Sequence, residues 1–226
     1  MNVEIFKQGT DNWGYILRNA QNKCLLLDPL DANLYEKKIR SLKLTPIAIL
    51  LTHYHQDHIA GVPELLKKFS IPVLGPEDNE QTPEIVTDKV AGEIQLLENT
   101  IFCYTMPGHT RALNTYHFKK SKQLFVGDLL FNLGCGRVFE GTHEQHYASL
   151  QHLKELPIDT EIFVGHDYRE KNLNFAKKLD PNFYSALQLE DLQESTSLEM
   201  ELWWNPFLKA PSFEAWKRLR DLRDQS

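Results

Sequence analysis

The sequence predicts an α/β protein whose helices are interspersed among the strands of mixed sheets. Apolar runs of strand character recur between polar turns, and amphipathic helix patterns lie among them. Some successive strand candidates are too close for a crossover helix, so a purely parallel sheet is excluded. With 226 residues, 42% of them hydrophobic, the chain can bury a core of one large domain or of one domain and an appendage. A mixed α/β sandwich is therefore expected.

The individual elements follow from turns, caps and periodicity. Asp31 is a suitable cap for a first helix, Pro63 opens a short second one, and Thr142 with Gln145 forms a capping box for a third. From residue 172 the pattern is mostly helical. We therefore predict a domain over residues 1–170 and a helical region over 171–226. The strand candidates are 3–6, 15–17, 24–27, 47–51, 73–74, 101–105, 124–126 and 162–164.

Charge and composition exclude several classes of partner. The 25 basic and 31 acidic residues give a net charge of −6, whereas broad binding to nucleic acid or anionic membranes needs a basic excess. No apolar run has the roughly 18 residues of a membrane span, and the start lacks the layout of a secretory signal. Three separated cysteines do not form a disulfide framework. We expect a cytoplasmic protein without nucleic-acid or membrane partners.

Four potential metal ligands follow the apolar run 47–51 directly: His53, His55, Asp57 and His58. In an extended segment, positions i and i+2 face the same way, so His53 and His55 can reach one ion. The following turn can direct Asp57 and His58 to another. The spacing thus predicts two metal ions.

Three further ligands are expected beyond later strands, where His109, Asp128 and His166 each follow an apolar run through a short turn. A glycine before a ligand permits the close backbone approach that a crowded site requires. Nitrogen and oxygen donors without cysteine fit Zn²⁺, with Fe²⁺ or Mn²⁺ as alternatives. If Asp128 bridges, each ion receives three or four protein ligands and a shared water, which is hydrolytic machinery. Motifs for a serine nucleophile or a phosphate-binding loop are absent from the sequence.

The segments THYHQDH, PGHT, VGD and VGH resemble the metallo-β-lactamase superfamily. Longer strings, FVGDLLFNLGCGRVFEGT, VGHDY and NPFLK, resemble the glyoxalase II family of hydroxyacylglutathione hydrolases along nearly the whole chain. The resemblance implies a four-layer αββα sandwich with a small C-terminal helical region that helps to bind glutathione. It also implies a monomeric thioester hydrolase that converts S-D-lactoylglutathione to glutathione and D-lactate, the second step of methylglyoxal detoxification, by a metal-bridged hydroxide.

The family's functional residues fall on definite positions of this sequence. All seven metal ligands are present, and Asp57 and Asp128 would act in catalysis as well. The glutathione contacts would be Arg137, Tyr168, Arg220 and Arg223, and arginines suit the two carboxylates of glutathione.

Three residues differ from the usual pattern of this family, and two other enzymes of the same fold are alternatives. Gln56, Leu113 and Phe139 differ from the usual family pattern, which bears on the substrate pocket and not on the metal ligands. A mononuclear-iron glutathione persulfide dioxygenase on the same fold is the alternative enzyme. A β-lactam hydrolase fits less well, because Cys is typical there at the position of Asp128.

Residues without an assigned role are expected to be structural. Cys135, in a Gly-Cys-Gly turn, is expected to be a small buried packing residue. The histidines outside the motifs are expected on the surface or on helices: His117, His143, His146 and His152.

Overall fold

The computed structural model describes residues 1–78 and 82–226, which form two compact units. The first unit contains Met1–Thr105 and Asn114–Ser121, and the second contains Met106–Leu113 and Lys122–Ser226. The predicted boundary near residue 170 was drawn by the expected role of each part of the chain, and it falls inside the second unit, in the first turn of a helix that spans Arg169–Leu179. That functional division stays a prediction.

The first unit is rich in strands. β1 to β6 form a sheet in that order, in which β1, β2 and β3 are antiparallel and the pairs from β3 to β6 are parallel. β7, β8 and β9 pair antiparallel in sequence. The strands are β1 Asn2–Gln8, β2 Asn12–Arg18, β3 Lys23–Leu27, β4 Thr45–Leu50, β5 Val73–Gly75, β6 Asp88–Lys89, β7 Gly92–Leu96, β8 Asn99–Thr105 and β9 Asn114–Phe118. The helices are α1 Ala32–Ser41, α2 Gln56–Ile59 and α3 Val62–Leu66.

The core of this unit forms where α1 and α3 cover the first sheet. The Asp31 carboxylate accepts hydrogen bonds from the first-turn N–H groups of Asn33 and Leu34, as the sequence predicts. Tyr35 and Ile39 then lie one turn apart and are buried among apolar side chains of the sheet. This packing holds the parallel strands from whose ends the metal-binding motif emerges.

The second unit combines a few strands with most of the helices. β10 (Gln123–Gly127) pairs parallel with β13 (Glu161–Val164), which pairs antiparallel with β14 (Ser195–Ser197). β11 (Leu130–Phe131) and β12 (Gly134–Cys135) form a small hairpin. The helices are α4 His143–Lys154, α5 Arg169–Leu179, α6 Pro181–Tyr184, α7 Leu198–Trp204, α8 Pro206–Lys209 and α9 Phe213–Asp224.

The structure confirms most predicted elements of this unit, and it corrects one histidine prediction, which concerns the first unit. The Thr142–Gln145 capping box is present at the start of α4, and the tail is helical apart from β14. Cys135 is buried, as expected. His117, in contrast, is neither on the surface nor on a helix, because it is a buried residue of β9. His146 lies on a helix, as expected, and is fully buried there. A single polar residue gives no periodic signal, so its burial was not visible in the sequence.

Candidate metal and substrate site

The first unit gathers three histidines directly after β4. The imidazole centroid of His53 lies 4.7 Å from that of His55 and 4.1 Å from that of His58. His53 and His58 are almost fully buried, at 0% and 1% exposure. His55 ends the extended segment and caps α2, so the chain turns there and brings His58 back beside His53. The three histidines therefore lie together, and their role as metal ligands stays a prediction.

Asp28, which immediately follows β3, orients two of these histidines. Its Oδ1 accepts the backbone N–H of Thr52 at 2.7 Å, and its Oδ2 accepts the Thr52 hydroxyl at 2.6 Å. The same Oδ2 lies 3.0 Å from His58 Nδ1, and the Thr52 hydroxyl lies 3.0 Å from His53 Nδ1. With both Nδ1 atoms so engaged, Nε2 is the nitrogen that each ring presents for coordination. Asp28 is close enough to both histidines to be a ligand itself, but its hydrogen bonds assign it to orientation.

Asp57 has its own positioning partner within the first unit. The Asn12 amide donates to the Asp57 Oδ2 atom at 3.0 Å and to its backbone carbonyl at 3.2 Å. A carboxylate with one oxygen held in this way is directed to present the other.

In the second unit, Asp128 lies between two histidines. Its Oδ2 is 3.5 Å from His109 Nε2 and 3.3 Å from His166 Nε2. One carboxylate oxygen within reach of two imidazole nitrogens is the geometry expected of a bridging residue. Asp128 follows Gly127, whose φ of 52° lets β10 end in a sharp turn.

His109 connects the candidate ligands with the segment that carries Arg137. Its Nδ1 lies 2.7 Å from the Arg137 carbonyl oxygen, to which it donates when Nε2 is the coordinating atom. Gly136 makes the approach possible, because a Cβ there would stand 1.9 Å from the Asp128 carbonyl oxygen. Only glycine fits at this point.

A pocket of about 260 Å³ within the second unit brings together the four predicted substrate contacts. It is lined by His109, Asp128, Phe131, Cys135, Arg137, Phe139, Tyr168, Asn172, Arg220, Arg223 and Asp224. The Tyr168 ring stacks on His166 with centroids 4.9 Å apart and planes 7° apart. Phe139, one of the departures from the family pattern, is 59% exposed at the pocket, with its ring 5.4 Å from that of His109.

Several residues of these sites were not identified from the sequence. Asp28 and Asn12 hold ligands of the first unit, whereas Asn172 and Asp224 contact the pocket arginines. Asp28 carried a usable signal, since an acidic residue at the end of a strand is a common orienting group. Asp224 carried none, because it stands in a run of alternating charges typical of a solvated helix.

Imidazole nitrogens and carboxylate oxygens converge in each unit, a donor set that fits divalent metal ions. The model for the metallo-beta-lactamase superfamily matches residues 9–84, which contain the His53–His58 motif. The fold is also that of a crystal structure of ETHE1 from Myxococcus xanthus, with a TM-score of 0.78 and 22% identity over 98% of this chain and 90% of that chain. These matches confirm the predicted α/β fold class and define a metallo-β-lactamase-type protein.

Two curated relatives narrow this class. A hydroxyacylglutathione hydrolase of Bdellovibrio bacteriovorus is 38% identical, covering 99% of this chain and 97% of the relative. A hydroxyacylglutathione hydrolase of Vibrio parahaemolyticus is 36% identical, covering 88% of this chain and 82% of the relative. The chain belongs to the hydroxyacylglutathione hydrolase (glyoxalase II) family, as its sequence motifs predict.

Proposed function

We propose that this enzyme hydrolyses the thioester of S-2-hydroxyacylglutathione, typified by S-D-lactoylglutathione, to glutathione and the 2-hydroxy acid. The observation that carries the proposal is the composition of the second-unit pocket, which combines candidate metal ligands with three arginines and Tyr168. Metal chemistry suits the thioester carbonyl, and guanidinium groups suit the carboxylates of glutathione. The names of the curated relatives support the same substrate.

We propose as metal ligands the seven residues that the family resemblance implies: His53, His55, Asp57, His58, His109, Asp128 and His166. Two divalent ions, with Zn²⁺ proposed ahead of Fe or Mn, would supply an activated water at neutral pH and stabilise oxyanion charge. Support comes from the Nδ1 contacts of His53, His58 and His109, which orient each Nε2 for coordination.

The protein's own residues then have separate tasks. In this proposal Asp57 and Asp128 act in catalysis as well as in metal binding, while Arg137, Tyr168, Arg220 and Arg223 bind the glutathione moiety. A separate general acid is not needed, because a thiol with a pKa of about 8.5 leaves readily as thiolate.

We further propose a monomer that acts in the cytoplasm. All three cysteines lie in the described residues and are unpaired thiols, which suits a reducing compartment. Within residues 1–78 and 82–226, no helix has both the length and the apolar character needed to cross a membrane.

The test is to purify the protein, measure metal per chain and follow loss of the S-D-lactoylglutathione thioester absorbance. Oxygen uptake with glutathione persulfide is measured in parallel. We expect two metals per chain and thioester cleavage without oxygen consumption. About one iron per chain, with oxygen uptake and an intact thioester, would replace this proposal with the dioxygenase.

A further inference from the structure

The three arginines of the second-unit pocket, Arg137, Arg220 and Arg223, differ in whether a carboxylate is hydrogen-bonded to them. Arg137 Nε donates to Asp224 Oδ1 at 3.0 Å, and Arg220 Nη2 donates to the same oxygen at 2.8 Å. One carboxylate therefore compensates two cations. This carboxylate is a fixed counter-charge, because Asp224 lies four residues after Arg220 on the same face of α9.

Arg223 has a different environment. Its Nε and Nη2 donate to Asn172 Oδ1 at 3.4 and 3.3 Å, and its Nη1 donates to the Ser226 hydroxyl at 3.0 Å. Among the described residues, no carboxylate forms an ion pair with Arg223. Partial burial lowers the pKa of this guanidinium, and the positive charge of Arg220 acts in the same direction, while the more distant charge of Asp224 acts against both. A half-buried cation that is hydrogen-bonded only to neutral oxygens keeps its charge available for an anionic ligand.

We propose that Asp224 is a specificity-determining residue that limits the pocket to thioesters with a weakly anionic carrier. Its carboxylate pairs with Arg137 and Arg220, so that among the described residues Arg223 is the pocket arginine without a hydrogen-bonded carboxylate and the one most open to a substrate carboxylate. Thioesters whose carrier bears several phosphates, and which gain most from clustered cations, are thereby disfavoured. This proposal rests on the proposed glutathione thioesterase function. It adds that the same pocket selects among thioester substrates by the negative charge of the carrier.

The obvious alternative is that Asp224 only holds α9 to the segment of Arg137. Arg220 already makes that connection without Asp224, because its Nη1 donates to the Cys135 carbonyl oxygen at 2.7 Å while the residue is only 4% exposed. Replacing Asp224 by asparagine keeps an oxygen that can accept from both arginines and removes only the charge. The effect of charge can thus be separated from that of shape.

The experiment compares the wild-type holoenzyme with Asp224→Asn and Asp221→Asn. Asp221 is on the same helix, pairs with Lys217 at 2.9 Å and is absent from the pocket lining, so it controls for net charge. Binding of S-methylglutathione, a non-hydrolysable probe, is measured by calorimetry at low and high salt. Cleavage of S-lactoyl-coenzyme A is compared with that of S-D-lactoylglutathione, and melting temperatures report folding.

We expect Asp224→Asn to bind S-methylglutathione about 3- to 10-fold more tightly at low salt, with a steeper salt dependence. We also expect it to raise relative activity on the coenzyme A thioester by a similar or larger factor. Asp221→Asn should stay within about 2-fold of the wild type. Unchanged or weaker binding by a folded Asp224→Asn would overturn the proposal. A wild type that neither binds the probe nor cleaves either thioester would instead overturn the proposed function.

Discussion

The two units present their candidate metal ligands by different structural means. In the first unit, His53, His55 and His58 come from one six-residue segment at the end of β4, and a single carboxylate, Asp28, orients two of them. In the second unit, His109, Asp128 and His166 come from three distant parts of the chain and meet around one carboxylate oxygen. A local cluster depends on few external contacts, whereas an assembled one depends on every segment that contributes.

The difference extends to the substrate side. The assembled region also contains the pocket arginines, and Arg220 on α9 donates to the Cys135 carbonyl oxygen next to Gly136, which lies against the Asp128 backbone. The candidate metal ligands and the substrate pocket of the second unit thus share the same supporting backbone contacts. We expect substitutions there to affect both properties, and substitutions of the orienting residues of the first unit to affect metal binding without a change in KM.

The largest effect is expected for Asp128→Ala in the second unit. The change removes the oxygen shared by His109 and His166, so turnover should fall by about 10³-fold or more together with bound metal. Metal per chain by mass spectrometry and thioester cleavage rates measure this. Asp159→Ala, which removes an exposed acid paired with Lys122 in the same unit, should leave both unchanged. Full metal content in the Asp128 variant would contradict the bridging role.

In the first unit, Asp28→Asn should weaken metal binding by about 10- to 100-fold while the fold is kept. An amide can still accept the Thr52 N–H, but its NH₂ group cannot accept from the Thr52 hydroxyl and His58 Nδ1. Competition with a chelator gives the metal affinity, and KM should stay close to the wild-type value. Asp31→Asn, at the cap of α1, is the control. Equal metal affinities in the two variants would show that Asp28 has no orienting role.

The same contrast explains how much the sequence could predict. The α1 helix follows from its Asp31 cap and from the spacing of Tyr35 and Ile39, all of which are local signals. The THYHQDH cluster is equally local. The ends of the later strand candidates predicted His109, Asp128 and His166, and the family resemblance implies the same three residues. Neither source could show that His109 Nδ1 contacts the Arg137 carbonyl oxygen.

Contacts between distant segments were the part that could not be predicted. Asp224 reads as one of several alternating charges on α9, yet its carboxylate lies between Arg137 and Arg220. The burial of His146 was likewise invisible, because it depends on Gly108, where a Cβ would come within 2.4 Å of His146. Such features arise only when segments far apart in sequence pack together.

A smaller effect is expected for Arg220→Ala, which tests whether the helical arm serves substrate binding. Loss of this guanidinium removes a pocket cation and the support of Cys135, so KM should rise by about 10-fold with a smaller change in kcat. Steady-state kinetics with S-D-lactoylglutathione measure both constants. Arg218→Ala, an exposed change on the same helix, is the matched control. An unchanged KM in the Arg220 variant would remove α9 from the substrate site.

The smallest effect concerns the buried His146 of the assembled region. Burial lowers its pKa to about 3, well below the value of about 6.5 expected in the unfolded chain. The unfolded state therefore takes up a proton first, and the free energy of unfolding falls as pH drops from about 6.5 towards 3, by up to ~1.4 kcal/mol per pH unit. His146→Gln removes this titration, while His152→Gln changes an exposed histidine. Urea unfolding of the metal-free proteins between pH 7 and pH 4.5 should show a shallower pH dependence for His146→Gln only, and parallel curves for all three proteins would contradict the assignment.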